Sequence, residues 1–533
     1  MKSLRSPRLS WSFATATVCA LALHSAFVSV VRADPPAFTT TPRNRVFFWK
    51  VTSTTLAPDG VTRPVILVNE QYPGPKIEVN RGDSVTVVVE NALDVPTSFH
   101  WHGLTMKGDP WYDGVPGMNQ CPIPPGTNFT YAFGTDNVVG THWWHAHFEN
   151  QYIDGLVGAI IIRDPPETDP FLHAYDEERT VMLTDCAAAP LLFSIDNHQL
   201  QVIEADGTEL NPIMVDSLPI NAGQRYSVIV TSNQDLQNYW MRAEIGTACM
   251  PKTPTNLDPV ILGEVRYQGA GAATPTSQGR FVPKDPPEEG QPPPVNPAFE
   301  AACKDLDLYS LHPLKPQPIL EPITNSFLIR IQFKKDPEDH IVRGYLNDIT
   351  FSGDPWNPTI VQNLNQSTMY EINQHVMKID RRDAIVQIIL DNSLGGQHPF
   401  HLHGHTFQVV AQGQGFYEEG KTPINAVNPI RRDTATVPGH GFTVIRFKAD
   451  NPGVWSLHCH IEWHVTTGLV MQFVELPDEL RAMGIPKHIS KLCETGPPKG
   501  FKAHTGFVPP PGLLQAPPPA PAPAPAPAPK KGP

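Results

Sequence analysis

Short runs of β-branched and aromatic residues, separated by turn residues, repeat along most of the chain. In the N-terminal part, examples are Val46–Val51, Ser84–Glu90 and Gly158–Arg163, and Pro-Gly and Gly-Asp pairs lie between such runs. Runs of this length and composition, bounded by turn signals, are typical of β-strands. The pattern predicts a β-sandwich over about residues 45–164.

The same pattern returns in a middle region, about residues 165–311, and in a third region, about residues 320–477. The predicted strands there are Arg179–Leu183, Gln199–Glu204, Gln224–Thr231, Phe327–Phe333, Ala384–Leu390, Phe407–Val410, Phe442–Phe447 and Leu469–Val474. Two proline-rich segments cannot belong to the interior of a sheet, because proline lacks the backbone donor. Residues 283–297 therefore predict a surface linker, and the Ala-Pro repeat at 516–529 predicts a tail without a core.

Histidines concentrate in four short windows of the first and third regions. Twelve of the 21 histidines lie there, at positions 100 and 102, at 142, 145 and 147, at 398, 401, 403 and 405, and at 458, 460 and 464. Alternate residues of a strand face the same side, so each His-x-His unit directs two imidazoles to one side. Cys459 should face away from His458 and His460, which predicts two metal sites sharing one backbone.

The ligand types favour copper over zinc. A structural zinc site closes with four Cys or His ligands and a catalytic one uses three, so ten or more ligands are too many for one zinc ion. One thiolate with two imidazoles is the ligand set of a blue-copper centre, and clustered imidazoles alone also suit copper.

Composition and charge narrow the class of protein. The length of 533 residues allows about three domains, and 59 prolines with only 17% charged residues fit a loop-rich β protein. The formal net charge of −13 argues against a nucleic-acid partner, which would need a basic face.

The N-terminus has the pattern of an export signal. Lys2, Arg5 and Arg8 precede an apolar run at about residues 13–31, and Ala33 ends a Val-Arg-Ala triplet. This pattern predicts a signal peptide over residues 1–33, with an uncleaved signal anchor as the alternative. No other stretch is long and apolar enough to span a bilayer, so we expect a secreted, soluble protein.

Export implies an oxidising compartment, in which disulfides persist. Six cysteines follow the predicted signal peptide: Cys121, Cys186, Cys249, Cys303, Cys459 and Cys493. If Cys459 binds a metal, five are left. One of these is then free, or the ligand assignment is wrong.

The four histidine windows resemble the copper signatures of the multicopper oxidases, in order and at similar separations. Asn69–Pro75, Gln151–Gly155 and Asn451–Trp455 extend the resemblance to most of residues 40–480. It implies an all-β fold of three cupredoxin-like Greek-key β-sandwich domains, the second shortened. The implied limits are 34–165, 166–311 and 312–495, followed by a tail at 496–533.

The resemblance also implies four copper ions with named ligands. His398, Cys459 and His464 would hold the type 1 copper, and His100 and His401 the type 2 copper. The coupled type 3 pair would be held by His102, His145, His147, His403, His458 and His460. Electrons would enter at the type 1 copper and reduce dioxygen to water at the other three.

Leu469, ten residues after Cys459, resembles the axial position of the type 1 copper. Leucine offers no donor atom, which should raise the reduction potential. Met471 is the alternative axial ligand, although its offset differs from that of the family. His142 and His405 match no ligand position, and we expect neither to bind copper directly.

Asp113 and Glu462 resemble acidic residues that the family uses as a proton relay, a role suited to carboxylates near a site that consumes protons. For Asp113, which precedes Gly114, an ordinary turn residue is an equally good interpretation.

Two branches of the family compete. Laccases oxidise phenols and aromatic amines, whereas ferroxidases oxidise iron(II), and residues 431–434 and the segment around Glu462 resemble the fungal ferroxidases. However, Leu394 occupies the position of an acid that those ferroxidases carry. We expect a secreted, monomeric laccase with no membrane span. A copper-binding or electron-transfer protein that no longer turns over dioxygen is the non-enzymatic alternative.

The middle region departs from both branches. Only six residues separate Cys186 from Phe193, where the family has several further strands. Either this domain is unusually small or the sequence is an incomplete product, and a sandwich short of strands would expose its edges. Asp185 is a candidate for the carboxylate that orients laccase substrates.

The resemblance also suggests how the cysteines pair. Cys121 with Cys493 resembles the family bridge between the first domain and the C-terminal region. Ile153 stands where many laccases have another bridging cysteine, which leaves Cys186 without its usual partner.

Overall fold

Strands form nearly all the regular structure of this protein. The computed structural model describes residues 9–12, 27–32, 41–58, 60, 62–135, 138–184, 189–246, 249, 259–279, 304–336, 340–367, 369–498 and 514–515. The predicted linker and most of the predicted signal peptide and tail lie outside these ranges. Among the described residues, no helix has the length and hydropathy needed to cross a membrane.

The first region forms two four-stranded sheets. Two short strands come earlier in the chain, β1 (Leu9–Ser12) and β2 (Phe27–Arg32). The strands of the first region are β3 (Asn44–Leu56), β4 (Arg63–Val68), β5 (Ile77–Asn80), β6 (Ser84–Asn91), β7 (Phe99–His102), β8 (Asn128–Gly134), β9 (Gly140–Ala146) and β10 (Val157–Arg163). They pair in the orders β4-β3-β6-β8 and β5-β10-β9-β7. Alternating burial along β6 and β8 directs one face of the sheet into a core with Trp101, Tyr131 and Trp144.

The middle region has eight described strands, as many as the first region, but none of its described pairs is parallel. Its strands are β11 (Arg179–Thr184), β12 (Leu191–Ile195), β13 (Leu200–Ala205), β14 (Thr208–Val215), β15 (Leu218–Ile220), β16 (Tyr226–Val230), β17 (Tyr239–Ile245) and β18 (Val260–Tyr267). Every pair among the described strands here is antiparallel.

The N-terminal strands cover the edges of the middle region. Strand β1 pairs with β18, and β2 is the partner of β11. Both belong to the predicted signal peptide. Its removal would therefore leave β11 and β18 as exposed edges, as a sandwich short of strands predicts.

The third region repeats the plan of the first. Its strands are β19 (Asn325–Lys335), β20 (Val342–Leu346), β21 (Tyr370–Glu371), β22 (Val376–Ile379), β23 (Ala384–Asn392), β24 (His398–Leu402), β25 (Phe407–Gln414), β26 (Arg431–Arg432), β27 (Thr434–Val437), β28 (Gly441–Ala449), β29 (Gly453–Cys459) and β30 (Val470–Glu475). The sheets run β20-β19-β23-β28-β25-β26 and β22-β30-β29-β24-β27. Each sheet contains one parallel pair, β19 with β23 and β22 with β30, just as β3 pairs with β6 and β5 with β10.

The helices are short and lie at connections. They are α1 (Thr359–Leu364), α2 (Glu462–Thr466), α3 (Pro477–Met483) and α4 (Lys487–Glu494), with 3₁₀ turns at Pro110–Tyr112 and Ile372–Gln374. A disulfide joins Cys121 to Cys493 on α4, which confirms that pairing. Cys249 is also disulfide-bonded, and Cys459 is a free thiol.

The predicted strands are confirmed in all three regions, with ends shifted by a few residues. The chain is extended as far as Cys459, and α2 begins at Glu462, so His464 lies on a helix. In the predicted tail, Leu514–Gln515 forms a two-residue strand, β31, against β21. The Ala-Pro repeat at 516–529 lies outside the described residues.

Candidate functional site

Strand register brings the four histidine windows together in pairs. On β7 and β9, His100 lies directly opposite His145. On β24 and β29, His401 lies directly opposite His458. These two sheets, one from the first region and one from the third, face each other across their shared interface.

The interface encloses a group of eight histidines, which we call the histidine cage: His100, His102, His145, His147, His401, His403, His458 and His460. Seven are buried and His147 is half-buried. The Nε2 atoms of His403 and His458 lie 3.0 Å apart. The Nδ1 atom of His102 lies 3.2 Å from Nε2 of His460. Alternation along the chain is therefore as predicted, since His458 and His460 both enter the cage.

The hydrogen bonds of the cage fix which ring nitrogens hold lone pairs. The Nδ1–H groups of His100, His145, His401 and His458 donate to backbone carbonyls. A carbonyl can only accept, so the proton is on Nδ1 and Nε2 carries a lone pair. The Nε2 atoms of His100, His145, His147 and His401 are buried without a partner. Buried polar atoms are rarely left unpaired, so these lone pairs fit an ion at the centre of the cage.

The contact between His403 and His458 makes the same point. His403 donates from Nδ1 to Oδ2 of Asp113 at 2.8 Å, so its Nε2 also presents a lone pair. The two lone pairs, 3.0 Å apart, repel each other unless a cation lies between them. Groups of three ligand atoms within 4.8 Å of one another include His147, His403 and His458, and also His100, His401 and His403.

Two buried carboxylates hold the cage from outside. Asp113 binds His403, and its backbone carbonyl accepts from His100. The left-handed conformation of this turn falls on Gly114, where a side chain would strike the Phe99 carbonyl. The turn therefore requires the glycine and does not by itself explain the carboxylate of Asp113. Asp433 accepts from Nε2 of His102 at 3.0 Å, and its backbone oxygen accepts from His401.

Asp433 and its partner Arg225 lie beside the cage, and sequence reasoning did not single out either residue as part of the site. Arg225 comes from the middle region and donates twice to Asp433, at 2.7 and 2.6 Å. Burial opposes ionisation, but Arg225 and the hydrogen bond from His102 hold the pKa of Asp433 well below its usual range. The middle region thus supports the cage through a buried ion pair.

A second group, the thiolate site, lies on the other side of β29. The Sγ atom of Cys459 is 3.7 Å from Nδ1 of His398 and 3.3 Å from Nδ1 of His464, and the two imidazole nitrogens are 3.2 Å apart. Residues on β24, β29 and α2 supply these three atoms. Cys459 faces away from the cage, as the strand alternation predicts.

The electrostatics favour neutral imidazoles and a protonated thiol before a metal binds. Burial lowers the pKa of His398 to about 3 and that of His464 to about 4. Burial likewise lowers the pKa of His458 to about 3 and holds the pKa of His460 well below 6.5. Burial raises the pKa of Cys459, so metal binding at this site must release the thiol proton.

Apolar residues surround the thiolate site. Leu469 is fully buried, and its backbone oxygen accepts from the Cys459 amide. Met471 on β30 lies opposite Leu457 on β29 and is also buried. The ring of Phe333 packs on both imidazoles, with centroids 5.6 Å from His398 and 4.8 Å from His464.

Three other predicted residues lie outside both groups. Burial raises the pKa of Glu462 well above its usual range. His405 bonds Glu475 at 2.7 Å, and His142 contacts Arg225 and the Val139 carbonyl. Asp185 lies outside the described residues.

A cavity of about 630 Å³ opens in the middle region. Its apolar walls come from β11, β12, β15 and β16, and Glu462 and Trp463 form part of its lining. Trp463, next to His464 in the chain, is 45% exposed. An aromatic side chain and a carboxyl group from α2, the helix that carries His464, therefore line this cavity.

Comparison with known proteins agrees with this geometry. Residues 50–167, 186–270 and 340–479 each match a multicopper oxidase family. Laccase-2 of Botryotinia fuckeliana is 34% identical over 506 residues, covering 81% of this chain and 82% of that protein. The laccase of Phlebia radiata is 32% identical over 510 residues, covering 83% and 92%.

Solved structures give the same picture. The laccase from Botrytis aclada superposes with a TM-score of 0.74 at 29% identity, covering 89% of this chain and 96% of that one. Fet3p, described as a multicopper oxidase that functions in iron import, also has a TM-score of 0.74, at 28% identity with 85% and 95% covered.

Proposed function

Because the chain belongs to the multicopper oxidase family, we propose that it is a laccase. It oxidises phenols and aromatic amines by one electron each and couples these steps to the four-electron reduction of dioxygen to water. We also propose the domain limits 34–165, 166–311 and 312–495, and secretion as a monomer after removal of residues 1–33.

We assign four copper ions to the two groups of ligands. His398, Cys459 and His464 hold the type 1 copper, and His100 and His401 hold the type 2 copper. In the type 3 pair, one ion is held by His102, His145 and His460, and the other by His147, His403 and His458. Bound copper supplies the one-electron redox chemistry and the dioxygen binding that no side chain provides.

The observation that carries the proposal is the position of Cys459 between His458 and His460. Its thiol lies in the thiolate site, 3.3 Å from His464, and the flanking imidazoles enter the cage. Cys459 is joined by one peptide bond to His458 and by another to His460, so the two sites are connected covalently. A protein that only stores copper has no need for this connection.

The proton relay is the proposed role of two acids. Asp113 accepts from His403 at 2.8 Å and can hold a proton at the edge of the cage. Burial raises the pKa of Glu462, and the residue lines the cavity, so it is suited to hold a proton for the cage and to recover one from water in the cavity.

The reductant is proposed to approach through the surface formed by Trp463. This exposed indole is adjacent to His464 and offers a face for stacking by an aromatic molecule. Leu469, which resembles the family's axial position, provides no donor atom, so a type 1 copper held by His398, Cys459 and His464 would have a high reduction potential.

The alternative within the family is an iron(II) oxidase, supported by the structural similarity to Fet3p. Against it, Leu394 is a partly buried apolar residue where the fungal ferroxidases have an acid. A copper-binding protein without turnover is the non-enzymatic alternative.

Oxygen uptake by the purified, copper-loaded protein distinguishes these functions. We expect rapid uptake with hydroquinone and slower uptake with iron(II). Uptake with iron(II) but not with hydroquinone would favour the ferroxidase. No uptake with either, in protein that contains four copper ions and is blue, would favour the copper-binding protein.

A further inference from the structure

The hairpin formed by β19 and β20 lies over the thiolate site. Gly344 on β20 pairs directly with Phe333 on β19, so the two residues share one face of the hairpin. The Gly344 amide donates to the Thr467 carbonyl at 2.9 Å, and the Phe351 amide donates to the Gly468 carbonyl at 3.0 Å. The hairpin and the segment after it are thus bonded to the turn that precedes Leu469.

Phe333 covers the two imidazoles. Its ring is stacked on His398, with an interplanar angle of 24°, and tilted against His464 at 58°. The residue is half-buried. Its ring therefore covers part of each imidazole, of which His398 is buried and His464 half-buried.

Gly344 allows Leu469 to approach. A Cβ atom on Gly344 would lie 2.7 Å from Cβ of Leu469 and 3.1 Å from its backbone nitrogen. These distances are shorter than ordinary van der Waals contact, and one of the atoms belongs to the backbone. A side chain at position 344 must therefore push the hairpin away from Leu469.

We propose that this hairpin is a cap of the type 1 site, in which Phe333 and Gly344 are positioning residues. Phe333 excludes water from the imidazoles, and Gly344 sets how closely Leu469 is held. Oxidised type 1 copper carries one more positive charge than the reduced form, and a dry, apolar shell disfavours the additional charge. The cap thereby raises the reduction potential, and this inference rests on the proposed copper assignment.

The test uses the full-length, copper-loaded protein with three substitutions. For Phe333→Ala, we expect the blue absorption to remain and the midpoint potential to fall by the equivalent of about tenfold in the oxidised-to-reduced ratio, or about 59 mV for one electron. Phe333→Leu keeps most of the apolar volume and should give a smaller fall. Gly344→Ala should shift the blue absorption maximum and the copper hyperfine splitting, because Leu469 is displaced.

Phe327→Leu is the matched control. Phe327 lies on the same strand and the same face as Phe333, but its ring packs on Phe473, with centroids 5.9 Å apart. We expect the Phe327→Leu protein to keep the midpoint potential and the blue absorption spectrum of the unsubstituted protein.

The outcomes separate the cap from the proposed function. Blue, active Phe333→Ala and Gly344→Ala proteins with the potential and spectrum of the unsubstituted protein would overturn the cap and leave the laccase assignment intact. An equal effect of Phe327→Leu would also overturn the cap, because the potential would then not depend on the contact of Phe333 with the two imidazoles. If the unsubstituted copper-loaded protein is not blue, the copper assignment fails and the cap fails with it.

Discussion

The histidine cage and the thiolate site lie on opposite sides of one strand and have contrasting surroundings. In the cage, carboxylates and carbonyls bind the outer nitrogens of the imidazoles, and Asp113 and Asp433 are both buried. At the thiolate site, in the part of the chain that the structure describes, no carboxylate bonds His398 or His464. Phe333 and Leu469 pack there instead.

The contrast follows from what each site must handle. Reduction of dioxygen consumes protons, so the cage needs acceptors that can hold a proton near the reacting atoms. Transfer of one electron needs no proton, and an apolar shell keeps the charge on a type 1 copper from being solvated. The two environments can be separated by only one residue because strand alternation points neighbours to opposite faces.

The largest expected effect comes from Cys459→Ser. Removing the thiolate should abolish the intense blue absorption and lower phenol oxidation by more than about 100-fold, above the range for outer partners of a metal ligand. The cage should keep its three copper ions, because Cys459 faces away from it. Absorption spectra, metal analysis and the type 2 resonance check this, and retained blue colour would contradict the ligand assignment.

Asp433→Asn tests whether polar support belongs to the cage alone. The change leaves the buried Arg225 guanidinium without its main anion, which should cost about 3–5 kcal/mol in the free energy of unfolding. Asparagine removes the negative charge beside His102 and leaves one acceptor oxygen for His102 and Arg225, which should weaken copper binding in the cage by about 10–100-fold. The blue absorption should stay, and copper titration followed by spectroscopy measures both sites.

The pH dependence of this variant has a definite sign. The pKa of Asp433 is depressed in the folded protein, so its stabilising effect is present above the ordinary value of 3.8 and is lost as the pH falls through the folded pKa. The stability difference between the unsubstituted protein and the variant should therefore shrink in strong acid.

Asp348→Asn, at an exposed acid paired with Lys334, is a control that should leave both sites unchanged.

The contrast also shows what could be predicted from the sequence. The ligand windows were predictable because strand alternation and the His-x-His spacing are local features. The ion pair of Arg225 with Asp433 was not, since it joins residues 208 positions apart on different sheets. Phe333 reads as an ordinary residue of a β-strand, and only the packing of β19 against α2 reveals its contact with His464.

Helix α2 escaped prediction for a different reason. A five-residue helix has no hydrophobic period of its own, and Ile461 caps it without a side-chain hydrogen bond. The shortening of the middle region stays a prediction from the spacing between Cys186 and Phe193. The pairing of β1 and β2 with the edges of that region was not predicted, because those residues read as a signal peptide.

Asp113→Asn has a smaller effect and distinguishes a proton relay from a turn residue. Asparagine can still accept from His403 but is a much weaker base. We expect turnover with a saturating phenol to fall by about 10–100-fold, while anaerobic reduction of the blue copper by the phenol keeps its rate. Stopped-flow measurements separate these steps, and unchanged turnover would leave Asp113 with a structural role only.

The smallest expected effect concerns Glu204, a third acid near the cage, which lies behind β9. Its carboxylate accepts from the Thr141 and Gly207 amides and from Ser227. Burial nevertheless raises its pKa above 4.5, against the lowering by these bonds and by Arg225. The pKa of Glu204 is thus shifted upward and that of Asp433 downward, although Arg225 interacts electrostatically with both carboxylates.

The raised pKa means that the folded state keeps the Glu204 proton at a pH where the unfolded state has lost it. The free energy of unfolding therefore falls as the pH rises above 4.5, until the folded state also loses the proton. Glu204→Gln cannot titrate and preserves the acceptor oxygen, so it should gain stability relative to the unsubstituted protein as the pH rises, by about 1 kcal/mol or less. Thermal unfolding of both proteins between pH 4 and pH 8 measures the difference. A gain that shrinks with rising pH would mean that Glu204 is ionised and paired like Asp433, and that polar support extends further from the cage than the two aspartates.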